Sequence, residues 1–292
     1  GIIAVASGEI DSAIAVGVEK MTDSAPTEVT SALATAADSD WELEQGVSFV
    51  GLNALIMRRY MHEYGWQHKD FAPFSLNAHA NAANNPNARL PFAITMKQFQ
   101  NATMVAAPIN LMDASPIGDG AAAALIVPLD SVHGNKRAIH IAGSGAATDT
   151  ISVHSRKIPL FLQAAYLSAQ RAYVQAGVLP NEIDFFELHD AFSIMSALSL
   201  EACGFAEQGQ GPRLGLDNEI RPNGGRIPIC TRGGLKARGH PVGATGMYQI
   251  VETVQQLRGE CSETQVADAK IGMAQNIGGS GASIVTHILK TI

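Results

Sequence analysis

The residues best placed to do chemistry lie at 233–246, GGLKARGHPVGATG, where five glycines, one histidine and one proline share fourteen positions. Glycine accepts positive φ and lets a ligand or a second backbone come close. Pro241 fixes φ where the chain turns into a helix. That helix is predicted from Ala244 to about Leu257, with Met247, Ile250, Val251, Val254 and Leu257 at helical spacing. His240 thus stands on a rigid loop ahead of a helix N-terminus, where a side chain can be held against a ligand carbonyl or phosphate. Function concentrates on loops of this kind, carried by rigid scaffolds. Two other segments, HDAF at 189–192 and NIGGSG at 276–281, end where strands meet helices or turns. In an open α/β sheet such strand ends line the ligand crevice.

The glycine loop resembles the GHP loop of the thiolase superfamily, in wording closest to the sterol-carrier-protein-X and archaeal branch. HDAF, GHP and NIGG in this order and spacing extend the resemblance over nearly the whole chain. The fold it implies is α/β, a thiolase fold of two similar mixed-sheet halves that pack around buried helices, with a loop domain inserted in the first. Residues 130–292 correspond to the complete second half, and residues 1–129 to the first half with its insertion at about 22–116. Residues 1–7, GIIAVAS, read as the end of a helix with no N-cap before it and Gly8 as its stop. The expectation is that the first half lacks its opening strands and helices, and that the chain is the C-terminal part of a longer polypeptide. Gly17, Glu19 and Met21 match the family's G-x-E-x-M, at the end of a central strand.

Joining or splitting acyl-CoA molecules beside a carbonyl passes through an enolate-like intermediate, whose negative oxygen needs placed donors. By resemblance His240 helps generate the thiolate of a nucleophilic Cys and donates to the enolate oxygen. His189 is the second donor, in a place where many thiolases use Asn and a bound water. The backbone N–H of Gly278 forms a second oxyanion hole. Asn276 stands where biosynthetic thiolases carry an acid/base Cys, and joins the catalytic group. Gly239 and Gly279, beside these residues, are assigned to the substrate. Ser115, in the A-S-x-x-x-D-G-A-A-A turn and strand, is a pantetheine contact. His79 belongs to Asn77-Ala-His79-Ala-Asn81 and Asn84-Asn85-Pro86, which fit N-x-H-x-N…NP and imply a place beside the ligand; read alone, the cluster could be turn formers. Asp119-Gly120 reads as a turn device.

The chain departs from the family pattern at its thiols. The nucleophilic Cys belongs upstream of residue 1, and Ala191 stands where the branch often carries the Cys of HDCF. Cys230 is the one thiol near the loop, either reactive beside Arg232 or buried packing, and Cys203 reads as core. Two alternatives follow. One is a thiolase-fold retro-aldolase acting on a 3-hydroxyacyl-CoA, which needs no Cys nucleophile and whose relatives often work with a small OB-fold and zinc-ribbon partner subunit. The other is a non-catalytic acyl-CoA or lipid-binding protein. The resemblance also implies a homodimer or tetramer, no prosthetic group, and a coenzyme A thioester as substrate.

Composition sets the wider bounds. In 292 residues, 46% hydrophobic and 16% charged content describe a well-buried chain of one large or two medium domains. A net charge of −7 argues against non-specific nucleic-acid binding. Arg232, Lys236 and Arg238, with Arg221 and Arg226, could meet the phosphates of an anionic cofactor or be solvated loop charges. Three widely spaced cysteines show no metal or disulfide pattern, which points to reduced thiols and the cytoplasm. No apolar run reaches the ~20 residues a membrane span needs. His287 reads as structural, and His62, His68, His133, His140 and His154 as surface or packing. Activity carried by two histidines should break near their ordinary pKa of about 6.5.

The elements that must position these residues alternate. Strands are predicted at 138–143, 183–188, 270–275 and 283–289, and helices at 160–176, stopped by Gly177, and 193–203, stopped by Gly204. A buried strand is expected at 11–21 and a helix near 50–64. The alternation implies a mixed sheet with helices on its faces.

Overall fold

A computed structural model describes residues 1–135 and 137–292. After α1 (Ile2–Ala6), strand β1 (Ala13–Glu19) pairs antiparallel with β4 (Gly120–Ile126), from Ala13 opposite Ile126 to Glu19 opposite Gly120. Everything between them is excursion: helices α2 (Pro26–Ala34), α3 (Phe49–Tyr64), α4 (Ala72–Ala82) and α5 (Met96–Gln100), then the hairpin β2 (Met104–Ala106) and β3 (Ile109–Asn110). Helix α3 starts where the Ser48 hydroxyl accepts from Gly51 N–H and stops at Gly65, whose φ of 75° closes it. The strand expected at 11–21 forms, but it is not a buried one. Ile14, Val16 and Val18 are 70%, 62% and 68% exposed, and they share their face with Leu125 of β4, also 67% exposed. Their apolar character fits a face that packs on something, yet only the opposite face meets the rest of this chain.

The second part supplies a four-stranded mixed sheet in the order β5 (Ile139–Thr148), β8 (Ser283–Thr291), β7 (Ile271–Gly278), β6 (Phe185–Glu187). Only β6 and β7 run parallel. Between β5 and β6 lies α6 (Gln163–Ala176), ended as expected by Gly177 at φ 62°. It lies so close on β5 that a Cβ at Gly145 would collide with the Ser168 carbonyl. Helix α7 (Ser193–Ala202) is buried at every position, and α8 (Gly211–Leu216) packs on it. Cys203, at the end of α7, is fully buried as expected.

Helix α9 (Thr245–Leu257) lies between the two sheets, touching β7 on one side and β1 and β4 on the other. An apolar stripe at helical spacing ordinarily marks a helix's inner face. The structure turns the helix the other way. Met247, Ile250, Val251 and Val254 are half-buried, while Thr245, Gln249, Glu252, Thr253 and Gln256 are buried with Leu257. Backbone groups make this possible: Gln249 Nε2 donates to the carbonyls of Glu187 and Gln275, and Gln256 Nε2 to that of Thr264. A buried polar group is tolerated when its partners are in place. Among the described residues no helix is long and apolar enough to cross a membrane.

Candidate active site

Four chain segments converge beside the N-terminus of α9. His189 follows β6, and His240 ends the glycine loop; their ring centroids are 5.2 Å apart with the planes at 90°. Asn276 and Gly278 lie at the end of β7. The fourth segment is 115–117. Ser115 N–H donates to the Ala191 carbonyl at 2.8 Å, and His240 N–H donates to the Pro116 carbonyl at 3.1 Å. The predicted Ser115, His189, Gly239, His240, Asn276, Gly278 and Gly279 therefore fall in one region of the fold.

The loop holds its shape through buried charge. The Asp190 carboxylate accepts from Leu235 N–H at 2.7 Å and from Lys236 N–H at 3.3 Å. Gly234 has φ +54°, and a Cβ there would run into that carboxylate. From the other side Arg89 and Leu90 N–H bind the carbonyls of Arg238 and Ala237, each at 2.9 Å. Three of the basic residues once open to a phosphate-binding reading, Arg232, Lys236 and Arg238, are buried instead. Arg238 pairs with Glu252 at 3.0 Å, both side chains buried, and its guanidinium lies 4.4 Å from the centre of the Tyr248 ring. Lys236 Nζ donates to the Ala114 carbonyl at 2.8 Å, and burial lowers its pKa to about 8. Arg232 reaches Asn85, and Arg226 binds Glu219 at the surface. Arg232, Lys236 and Arg238 serve as scaffold, while Arg221 and Arg226 remain exposed at the surface.

Each imidazole has a defined partner on Nδ1. That of His189 faces Ile277 N–H at 3.3 Å and Asn276 Nδ2 at 3.2 Å. That of His240 lies 2.6 Å from the Thr245 hydroxyl, which in turn donates to the Pro241 carbonyl at 2.9 Å. Burial, then the neighbouring His240 and Arg238, hold His189 well below its ordinary value. Burial and Arg238 bring half-buried His240 down to about 3. Both rings are neutral at physiological pH. The break near 6.5 expected from ordinary histidines does not apply to this pair, because a second positive charge beside Arg238 in a dry site is unfavourable.

His79 sits elsewhere. It is buried on α4, with Nδ1 on the Phe92 carbonyl at 3.0 Å and its ring against Phe92. Of the asparagines around it, Asn85 is a turn former, its Oδ1 accepting from Asn87 N–H at 3.0 Å. Asn77, Asn81 and Asn85 side chains donate to the carbonyls of Ile229, Cys230 and Arg232, and so tie α4 and the turn after it to the segment that feeds the glycine loop. Asp119, expected to be a turn device, serves instead as a long-range tie: it accepts from Met21 and Thr22 N–H and so holds the start of β4 to the chain leaving β1. Cys230 is buried, and its thiol is pushed well up by burial and then by Asp190, which leaves packing as its role. Among the described residues no group of His, Cys, Asp or Glu could hold a metal ion. A cleft of about 890 Å³ lies on the outer side of α9 between Val5, Leu125, Val251 and Arg258, and is lined by neither His189 nor His240. Sequence reading missed Thr245, Gln249 and Glu252. Their signal was a polar repeat at 245, 249, 252 and 256, one face of the helix.

The chain and its fold have counterparts among known proteins. The "Thiolase C-terminal domain-like" family model matches residues 145–291. An acetyl-CoA acetyltransferase of Methanothermobacter thermautotrophicus is 46% identical over 99% of this chain and 75% of its own. Sterol carrier protein 2 of Rattus norvegicus is 33% identical over 78% of this chain and 43% of its own. Among solved structures, an Ltp2-ChsH2(DUF35) aldolase superposes with a TM-score of 0.86 at 25% identity, covering 99% of this chain and 75% of that one.

Proposed function

The chain belongs to the thiolase family, and from that premise we propose that it breaks or makes a carbon–carbon bond beside the carbonyl of an acyl-CoA, through a thioester enolate held by His240 and His189. The observation that carries this reading is the perpendicular pair of neutral imidazoles at 5.2 Å, at the meeting of two loops and two strand ends. In the cleavage direction a thiolate adds to the 3-oxo carbon of the substrate. The bond from that carbon to the α-carbon breaks, and its electrons move onto the thioester oxygen. Two ring N–H groups aimed at that oxygen stabilise the charge as it forms, in a site dry enough for the interaction to be strong. Protonation of the α-carbon releases acetyl-CoA and leaves the acyl group on the attacking sulfur, from which free coenzyme A takes it as the shortened acyl-CoA and regenerates the thiol. Gly278 N–H serves the tetrahedral oxyanion of the acyl transfer to coenzyme A. Ser115, Gly239 and Gly279 take the thioester arm of the substrate. His79 acts at a remove, by holding Phe92 at the end of the 89–92 segment that pins the loop.

One observation favours a second reading. Ala191 and Asn276 occupy the two places where acid/base thiols are expected, and Cys203, Cys230 and Cys261 are all buried. A retro-aldol cleavage of a 3-hydroxyacyl-CoA needs no thiol. A base takes the hydroxyl proton, the bond to the α-carbon breaks, an aldehyde or ketone leaves, and the same enolate remains. The structural likeness to an aldolase that is a complex of two named components supports this reading, with a small partner subunit.

Product analysis separates the two. Strict dependence of cleavage on free coenzyme A supports the thiolase. A ketone or aldehyde released from a 3-hydroxyacyl-CoA without added coenzyme A supports the lyase. No turnover of either substrate class by the protein, alone or with its partner, would overturn both. A homodimer or tetramer, read by light scattering, goes with either.

A further inference from the structure

We propose that Thr245 and Gln249, one turn apart on the buried face of α9, are positioning residues that fix the two facing imidazoles in opposite tautomers, so that His240 presents a bare Nε2 and His189 an Nε2–H. The argument starts from backbone atoms, whose donor and acceptor roles are not in question. Ile277 N–H can only donate, so His189 Nδ1, 3.3 Å away, carries the lone pair and the ring proton sits on Nε2. Gln249 reinforces this. Its Nε2 faces two carbonyl oxygens, of Glu187 at 3.1 Å and Gln275 at 2.8 Å, and must be the amide nitrogen. Its Oε1 is then an acceptor, and the Asn276 atom facing it at 3.0 Å is Nδ2. The same Nδ2 lies 3.2 Å from His189 Nδ1, so Asn276 is turned to give a second donor to that nitrogen. A relay of two amides, anchored on two strand carbonyls, holds one end of His189.

His240 is set the opposite way. The Thr245 hydroxyl has one proton, and the Pro241 carbonyl at 2.9 Å can only accept it. The hydroxyl oxygen then accepts from His240 Nδ1–H at 2.6 Å. Were the proton turned toward His240 instead, two oxygens would face each other at 2.9 Å with nothing between them. Both rings are neutral, so each carries one proton, and a ring nitrogen's partner decides which nitrogen has it. His240 Nε2 is left as the basic atom, able to take a proton from a thiol and then to donate it as a hydrogen bond. His189 Nε2–H is a donor from the outset. The catalytic consequence rests on the enolate reading above; the tautomers themselves do not.

The test reads the rings directly. Long-range ¹H–¹⁵N correlation on protein labelled with ¹⁵N-histidine, at neutral pH and without substrate, reports which nitrogen of each ring is protonated. The expected spectrum assigns Nδ1–H to His240 and Nε2–H to His189. Thr245→Val should convert His240 to a mixture of tautomers, and Thr245→Ser should restore the wild-type pattern. Gln249→Leu should broaden or shift the His189 signals and leave those of His240 in place. Turnover by Thr245→Val should fall about 10–100-fold in kcat with KM little changed, as when outer partners of a histidine are removed. The same tautomer in both rings of the wild type, or a Thr245→Val spectrum identical to wild type, would overturn the proposal. Opposite tautomers in a protein with no activity would leave it standing and remove the enolate reading instead.

Discussion

The His189 ring stands edge-on to the His240 ring, their centroids 5.2 Å apart, with one Nδ1 held by the end of β7 and the other by the start of α9. The two rings come from segments fifty residues apart in sequence, yet each is tied to an element of the second sheet's layer. Neither can turn without breaking a bond to backbone or to a buried side chain. That preorganisation is what an enolate site requires, because donors that need not reorient cost nothing at the moment charge appears.

The neutral state of these rings makes a pH prediction with a definite sign. Folding lowers the His240 pKa to about 3 and holds His189 well below its ordinary value. An unfolded chain titrates its histidines near 6.5, so it takes up protons first as the solution is acidified. Stability tied to the pair is full above that pH and is lost progressively as pH falls toward the folded values. Thermal melts should show Tm declining with acid from about pH 6.5, less steeply in His240→Asn than in wild type. An equal slope in both would show that other groups carry the acid sensitivity.

The three thiols should be inert in the folded protein. Burial pushes Cys203 and Cys261 up to about 12, and Cys230 well above its ordinary value. Thiolate is the reactive form, so iodoacetamide at neutral pH should leave these three unmodified until denaturant is added. Site-resolved mass spectrometry reads the result. Rapid native labelling of Cys230 would reopen its candidacy as a reactive thiol, and Cys230→Ser would then be the variant to assay.

The glycine loop should depend on Asp190 and Gly234 as a pair. Asp190→Ala removes the acceptor of two buried N–H groups, which costs roughly 1–3 kcal/mol when they are left unpaired. Gly234→Ala asks an L residue to take φ +54° against the Asp190 carboxylate. Such backbone strain is worth about 1–3 kcal/mol before the collision is counted. Denaturant melts should place both variants below wild type. A Gly234→Ala protein as stable as wild type would mean that the loop can move aside.

Much of this was legible in the sequence because it is written locally. Gly65 and Gly177 end helices near where they were expected, and HDAF, GHP and NIGG fall at strand and loop ends. The buried face of α9 was not legible for a physical reason. Hydrophobic spacing assumes that the inner face is apolar, whereas this helix packs Thr245, Gln249 and Glu252 against carbonyls, an imidazole and an arginine. The loop cations were misread likewise: Arg238 looks solvated until Glu252, fourteen positions on, is brought beneath it. Residues 11–21 read as a buried strand because exposure depends on what lies across the sheet, which no local pattern encodes. His79 kept its place beside a motif but turned out to bind a backbone carbonyl.

The most direct test of the account is exchange of the α-protons of an acyl-CoA thioester with D₂O, followed by ¹H NMR, because exchange requires the enolate and nothing after it. The account predicts exchange well above the buffer rate with wild-type protein, falling about 10²–10³-fold in both His189→Ala and His240→Ala, the usual cost of removing one oxyanion donor. Exchange at the same rate in wild type and both variants would contradict it.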